Sequence, residues 1–152
     1  MSQGRLRKTK TTTEALERWY AGADVPMAVI RRYAREIADR FVPQKIILFG
    51  SYAYGTPHAG SDVDILVVMP ARNELAQAWK IDRALARNFS AHLIVRTPKN
   101  MEWRLREGDW FLREIVALGK VLYEKTDARV GRQGRRRLSS SAPAQGRKPP
   151  IS

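Results

Sequence analysis

Two short runs hold the side chains with reactive potential: Gly50-Ser51-Tyr52-Ala53-Tyr54-Gly55, and Ser61-Asp62-Val63-Asp64 after a polar loop. Gly50 lets a phosphate approach the main chain closely, and Ser51 adds a hydroxyl donor at the start of a short helix whose dipole and free N–H groups favour an anion. Asp62 and Asp64 are one residue apart, so on a strand, where side chains alternate between faces, they point the same way. Two hard oxygen ligands on one rigid face suit Mg²⁺, which takes one or two protein carboxylates and fills its other positions with water and phosphate oxygens. Left unpaired, the two carboxylates would repel and raise one another's pKa, so the pair needs a cation. Together the two runs could handle a metal-bound polyphosphate.

Rigid elements must hold those groups. Lys45-Ile46-Ile47-Leu48-Phe49 is apolar, rich in β-formers and stops at a glycine, which predicts a buried strand ending at residue 50. Thr56-Pro57-His58-Ala59-Gly60 then reverses the chain, and a second strand runs over residues 62–69, closed by Pro70. Upstream, Asp24 with Pro26 signals a helix start. Ile30, Tyr33, Ala34, Ile37, Ala38 and Phe41 recur at spacings of three and four, giving an amphipathic helix that ends near Pro43. Leu75, Ala78, Trp79, Leu85 and Phe89 mark a second long helix, with Trp79 and Phe89 expected in the core, and residues 91–96 form a third strand. Thr97 before Pro98 caps a helix carrying Met101 and Leu105. Asp109 caps another, carrying Leu112 and Ile115, which Gly119 ends. Val121-Leu122-Tyr123 adds a short edge strand. The order predicts an α/β (α+β) sandwich, a small mixed sheet with helices packed on one face.

At this spacing, Gly50-Ser51, ten residues, then Asp62-x-Asp64, the chain resembles the DNA polymerase β-like nucleotidyltransferases, and its size is similar to their minimal nucleotidyltransferase (MNT) branch. His92-Leu93-Ile94-Val95-Arg96-Thr97-Pro98, Trp110-Phe111-Leu112-Arg113-Glu114-Ile115 and Gly119-Lys120-Val121-Leu122-Tyr123-Glu124 look like later blocks of that branch, so the likeness spans residues 27–124. The resemblance implies a polymerase β-like fold and transfer of AMP from ATP to a hydroxyl, with Mg²⁺ or Mn²⁺ as cofactor and pyrophosphate as product. It implies Gly50 and Ser51 as nucleotide-binding residues, Asp62 and Asp64 as metal ligands, and Asp62, Asp64 and position 92 as the catalytic set. In that family a third carboxylate on the following strand completes the site, and here the aligned residue is His92. Imidazole can act as a base, but it brings no negative charge and is a poor ligand for Mg²⁺. His92 therefore has either a catalytic or metal-binding role, or that of a polar residue at a strand start bonded to nearby backbone. Larger relatives carry an extra domain for the acceptor, and minimal members pair with a helical HEPN protein, a ribonuclease toxin, for which they act as antitoxin. Two alternatives follow from His92 and from the charge: a catalytically impaired nucleotide- or protein-binding antitoxin module, and an RNA-associated nucleotidyltransferase.

Four further residues have two readings each. Tyr52 and Tyr54 could stack on a base or accept a transferred group, yet a tyrosine on a first helical turn is more often half-buried against the sheet. Arg96 could neutralise pyrophosphate or form a surface ion pair, and the Ser61 hydroxyl could contact a phosphate but is expected to hold the loop before Asp62.

The 152 residues allow one core, and an apolar fraction of 43% is that of an ordinary soluble domain. The formal charge of +13 suggests nucleic acid until it is divided along the chain. Residues 11–124 hold 16 Lys/Arg against 14 Asp/Glu, whereas residues 1–10 add four basic side chains and residues 125–152 add eight against Asp127 alone. The expected organisation is a basic flexible start over 1–12, a nucleotidyltransferase domain over 13–124 and a basic, disordered tail over 125–152, able at most to bind nucleic acid non-specifically. There is no cysteine, which excludes disulfides, thiolate metal sites and a cysteine nucleophile. No segment approaches the ~20 apolar residues of a membrane helix, and the basic start runs into Thr11-Thr12-Thr13 instead of an apolar signal core. A cytoplasmic protein without a membrane segment is expected. Removing residues 129–152 should leave the melting temperature and nucleotide binding unchanged, because a segment without apolar anchors adds little to a core. Thermal unfolding of full-length and truncated chains checks this, and a loss of several degrees would mean that the tail docks.

Overall fold

The computed structural model describes residues 19–20 and 22–126; the basic start and the tail from residue 127 lie outside the described residues. A 3₁₀ turn at Gly22–Asp24 precedes α1 (Met27–Phe41), followed by β1 (Lys45–Phe49), α2 (Ser51–Tyr54), β2 (Val63–Val68), α3 (Glu74–Ala84), β3 (Ala91–Arg96), α4 (Pro98–Arg106), α5 (Trp110–Leu118) and β4 (Lys120–Glu124). Asp24 does not cap α1. Pro26 occupies the N-cap position without a side-chain bond, its own ring presetting the entry angle. At the other end Val42 takes a left-handed conformation (φ 47°) and donates its N–H to Ala38 O, after which Pro43 stops the helix.

The four strands lie in the order β3-β2-β1-β4. β1 pairs antiparallel with both β2 and β4, and β2 pairs parallel with β3, the two being joined by the α3 crossover. The sheet is therefore mixed, as expected, but it is covered on both faces instead of one. Ile46, Leu48, Val63, Ile65, Val67 and Val95 face one layer with α1, α2 and α3, where Ile30, Tyr33, Ile37, Ala53 and Ile81 complete the main core. Ile47, Phe49, Leu66 and Val68 face the other way and meet Met101, Leu112 and Ile115 of α4 and α5. The second face had to be covered because β1 is apolar at every position after Lys45, leaving a row of Ile47 and Phe49 that water would otherwise reach.

Helix α3 is shorter than its apolar residues suggest. It ends at Ala84, so Phe89 belongs to the following loop, where it is buried as expected, while Trp79 is 59% exposed and Leu75 71%. Ala78 and Ile81 form the inward row of α3, and Trp79, about 100° around the helix from Ala78, lies outside it beside Arg83, whose guanidinium carbon is 5.9 Å from the ring centre. The side chains of Thr97 and Asp109 cap α4 and α5, accepting from Asn100 N and Leu112 N at 3.1 Å each. Glu74 ties the starts of α3 and α4 together by accepting from Thr97 N (2.9 Å) and Asn100 Nδ2 (2.8 Å). Among the described residues no helix is long and apolar enough to cross a membrane.

Gly119 joins α5 to β4 where there is no room for a side chain. A Cβ there would lie 2.5 Å from Ile115 O and 2.6 Å from Ile47 Cγ2, while its φ of −70° is open to any residue. Gly119→Ala should cost roughly 1–3 kcal/mol by overpacking alone. Urea denaturation of the variant measures it, and unchanged stability would show that α5 is free to shift.

Candidate active site

The end of β1 and the start of β2 meet at the residues that the sequence singles out. Phe49 pairs with Asp64 across the antiparallel ladder, so Gly50, one residue on, turns away beside the Asp64 side chain. Its backbone angles (φ 75°, ψ −161°) fall in a region that is essentially glycine's alone and would cost another residue about 1–3 kcal/mol. A Cβ at this position would collide with Asp64 Oδ2 and lie 3.1 Å from Asp64 Cγ. Main chain and carboxylate thus approach as closely as a glycine allows. The single turn of α2 follows, with Ala53 N and Tyr54 N each donating to Gly50 O at 3.0 Å. Ser51 Oγ donates to Ser61 Oγ at 3.0 Å, and Ser61 Oγ also accepts from His58 N at 2.8 Å, so Ser61 braces the connecting loop as expected.

Asp62 and Asp64 share the sheet face of Leu66 and Val68, as the alternation requires. The parallel register sets His92 directly opposite Asp64, and its Nδ1 lies 3.3 Å from Asp64 Oδ1. The histidine ring is thus set against the carboxylate. Asp62 is held separately: Ser90 Oγ donates to its Oδ1 at 2.6 Å, and Val63 N donates to Ser90 O at 3.0 Å. Burial pushes the Asp64 carboxyl above its usual range, His92 pulls it partly back through its hydrogen bond and its charge, and the neighbouring Asp62 adds a further rise. A cation on this carboxylate would oppose that rise and compete with the proton.

The donor set decides what the site can hold. Two carboxylates on one face, beside a main chain free of Cβ, fit one hard divalent cation whose remaining ligands are water and phosphate oxygens. The set does not fit a second such cation. Among the described residues no group of three or more His, Cys, Asp or Glu side chains is arranged to hold a metal, and His92 adds no charge where a bridging carboxylate would be needed.

Other candidates divide. Tyr52 is buried in the main core, its hydroxyl accepting from Val25 N at 3.3 Å, which removes it from substrate contact. Tyr54 is 37% exposed, and its hydroxyl donates to Glu114 Oε2 of α5 at 3.4 Å, bringing that later carboxylate toward the Gly50 turn. Arg96 stands at the far end of β3, about 13 Å of strand from His92. There it pairs with Glu74 (3.7 Å) and donates to Val95 O (2.9 Å), so it is the surface ion pair and does not face the Gly50 turn. Lys45 is half-exposed and pairs with Glu124 at 3.4 Å. Sequence reasoning missed Ser90, although the signal was present: if His92 stands opposite Asp64 on a parallel strand, the residue opposite Asp62 is two earlier, and it is a serine.

A family model described as nucleotidyltransferase domain matches residues 30–122, more than half of the chain. No curated protein sequence matches it. Among solved structures, a toxin-antitoxin with AMP-PNP is 26% identical (TM-score 0.45; 63% of this chain and 74% of that one covered). A mutant of the toxin-antitoxin MntA-HpeT is 25% identical (TM-score 0.43; 68% and 76% covered). A candidate nucleotidyltransferase from Sulfolobus solfataricus is 23% identical (TM-score 0.36; 45% of this chain covered), and the chain spans 66% of its length. The likeness in fold to these structures is partial, every TM-score lying below 0.5.

Gly50→Ala should weaken metal-dependent nucleotide binding by at least about tenfold, because the new methyl displaces Asp64, while circular dichroism keeps its native form. Calorimetry with ATP and Mg²⁺ is the measurement, and undiminished affinity would show that the close approach is incidental.

Proposed function

This chain belongs to the nucleotidyltransferase domain family, and from that premise we propose that it transfers AMP from ATP to a hydroxyl on a helical partner protein of the HEPN type, as an antitoxin. The observation that supports the chemistry is the glycine turn packed on Asp64, with Asp62 held on the same face by Ser90. Asp62 and Asp64 would hold Mg²⁺ or Mn²⁺, which when bound neutralises the triphosphate and orients it for displacement. Gly50 and Ser51 bind the phosphates next to it. The acceptor oxygen bonds to the α-phosphorus, the bond to the bridging oxygen breaks, and pyrophosphate leaves with its electron pair. The hydroxyl proton passes to His92. With Nδ1 engaged by Asp64, Nε2 is the ring nitrogen left to receive it, in a side chain that is 59% exposed. The partner, the antitoxin role, ATP as the nucleotide and a cytoplasmic setting rest on the resemblance to the minimal branch.

His92 also favours a second reading, a domain that binds nucleotide and neutralises its partner by contact without transfer. One experiment separates the two. Calorimetry should detect ATP binding that requires Mg²⁺ or Mn²⁺ and disappears in Asp62→Ala with Asp64→Ala. With labelled ATP and a helical partner protein of the HEPN type, transfer by the wild type should be weak and greater with Mn²⁺, and His92→Asp should raise it about tenfold or more by adding a hard ligand and local base. Undiminished binding in the double variant would refute the nucleotide site. Strong Mg²⁺-dependent transfer that His92→Asp lowers would show that the imidazole base needs no third carboxylate, and ATP binding without any transfer by the wild type would favour the second reading.

A further inference from the structure

On the sheet face opposite Asp62 and Asp64, α1 and the loop after α3 line an open pocket of about 340 Å³. Its wall includes Arg32, Tyr33 and Glu36 of α1 and Arg87, Asn88 and Phe89 of the loop. The Tyr33 and Phe89 rings meet edge to face, 5.5 Å apart, and Tyr33 is only 2% exposed. Among the described residues neither its hydroxyl nor Arg87 Nε, both buried, has a hydrogen-bond partner of good geometry, although the Arg87 guanidinium lies close enough to the phenol oxygen to act on it. Asp82 pairs with the Nη1 of Arg87 and fixes the guanidinium beside the Tyr33 ring, 6.0 Å from its centre. Burial raises the Tyr33 pKa, so the phenol is a protonated donor near neutral pH. Unpaired buried donors are rare and costly, and a water's share of volume is ~30 Å³, so the space exceeds what one bridging water would fill.

We infer that this pocket is a second binding site, for a phosphate-type oxyanion whose oxygens accept from the Tyr33 hydroxyl, Arg87 Nε and the Arg32 guanidinium. Three donors from separate side chains suit an anion with three or more acceptor oxygens better than a carboxylate with two. Glu36 and Asp82 balance the two arginines in charge, so recognition depends on the donors and not on a basic field. The site also reaches the opposite face. Phe89 forms part of its wall, and the next residue, Ser90, holds Asp62 at 2.6 Å. Adjusting Phe89 around a ligand shifts the group that aims Asp62, which makes the oxyanion a modulator of nucleotide binding. Only this coupling rests on the nucleotidyltransferase reading.

The binding test uses the full chain with Asp62→Ala and Asp64→Ala, titrated by calorimetry with inorganic phosphate and, separately, pyrophosphate, with acetate as the carboxylate comparison. One saturable site for a phosphate anion is expected, weakened about tenfold or more by Tyr33→Phe and by Arg32→Gln. Tyr33→Phe keeps the ring and the net charge, so anion binding to the basic ends cannot imitate its effect, and if that variant does not fold, Arg32→Gln decides. No saturable heat at millimolar anion, heat equal in both variants, or preference for acetate overturns the site. In the wild type, a shift in ATP affinity on adding the anion that Tyr33→Phe abolishes supports the coupling. Anion binding with ATP affinity unchanged overturns the coupling and leaves the site standing. Absence of ATP binding altogether refutes the nucleotide reading and leaves the first arm intact.

Discussion

The approach of Gly50 to Asp64 is the contact from which the rest of the site is built. A strand must end, turn through an angle that only glycine tolerates and pass beside a carboxylate with no Cβ between them. That requires Phe49 to pair with Asp64 and no other residue, so the β1–β2 register is part of the chemistry. A slip of one residue would turn Asp62 and Asp64 onto the face of α1 and drive Val63 and Ile65 out of it. The two apolar residues around Asp64 therefore hold the carboxylate in position by being wholly buried themselves.

One sheet face serves two purposes along its length. Leu66 and Val68, beyond the carboxylates on β2, are covered by α4 and α5, while Asp62 and Asp64 lie where that cover thins. The helices are short and end in a tight junction at Gly119, and so they protect the apolar half without closing over the polar half. Asp64 stands at the boundary, and its partial burial accounts for its raised pKa. A carboxylate placed there is disfavoured as a free anion, which prepares it for a cation or a hydrogen-bonded imidazole.

The parallel neighbour β3 sets the character of the site. By pairing Asp64 with His92 and placing Ser90 beside Asp62, it gives each carboxylate one partner. Where a third acid would have concentrated negative charge, the chain has a neutral or singly charged ring. The arrangement suits one divalent cation, with His92 set against the carboxylate that would hold it.

Much of this was determined by local sequence. The glycine ending an apolar strand, the period-two placement of Asp62 and Asp64, and the caps at Thr97 and Asp109 are short-range features, set by backbone sterics and alternation, and they stand where the residues indicate. The sequence also identified the inward row of α1, because its apolar spacing matches the helical period. Only the tertiary structure decided how α4 and α5 close the second sheet face, that Trp79 lies outside the core, that Arg96 stands at the wrong end of β3 and that Ser90 aims Asp62. Each of these depends on which strands pair, in what direction and register, or on which side a helix finds open. Such choices are made by packing between residues far apart in the chain, and no window of neighbouring residues contains them.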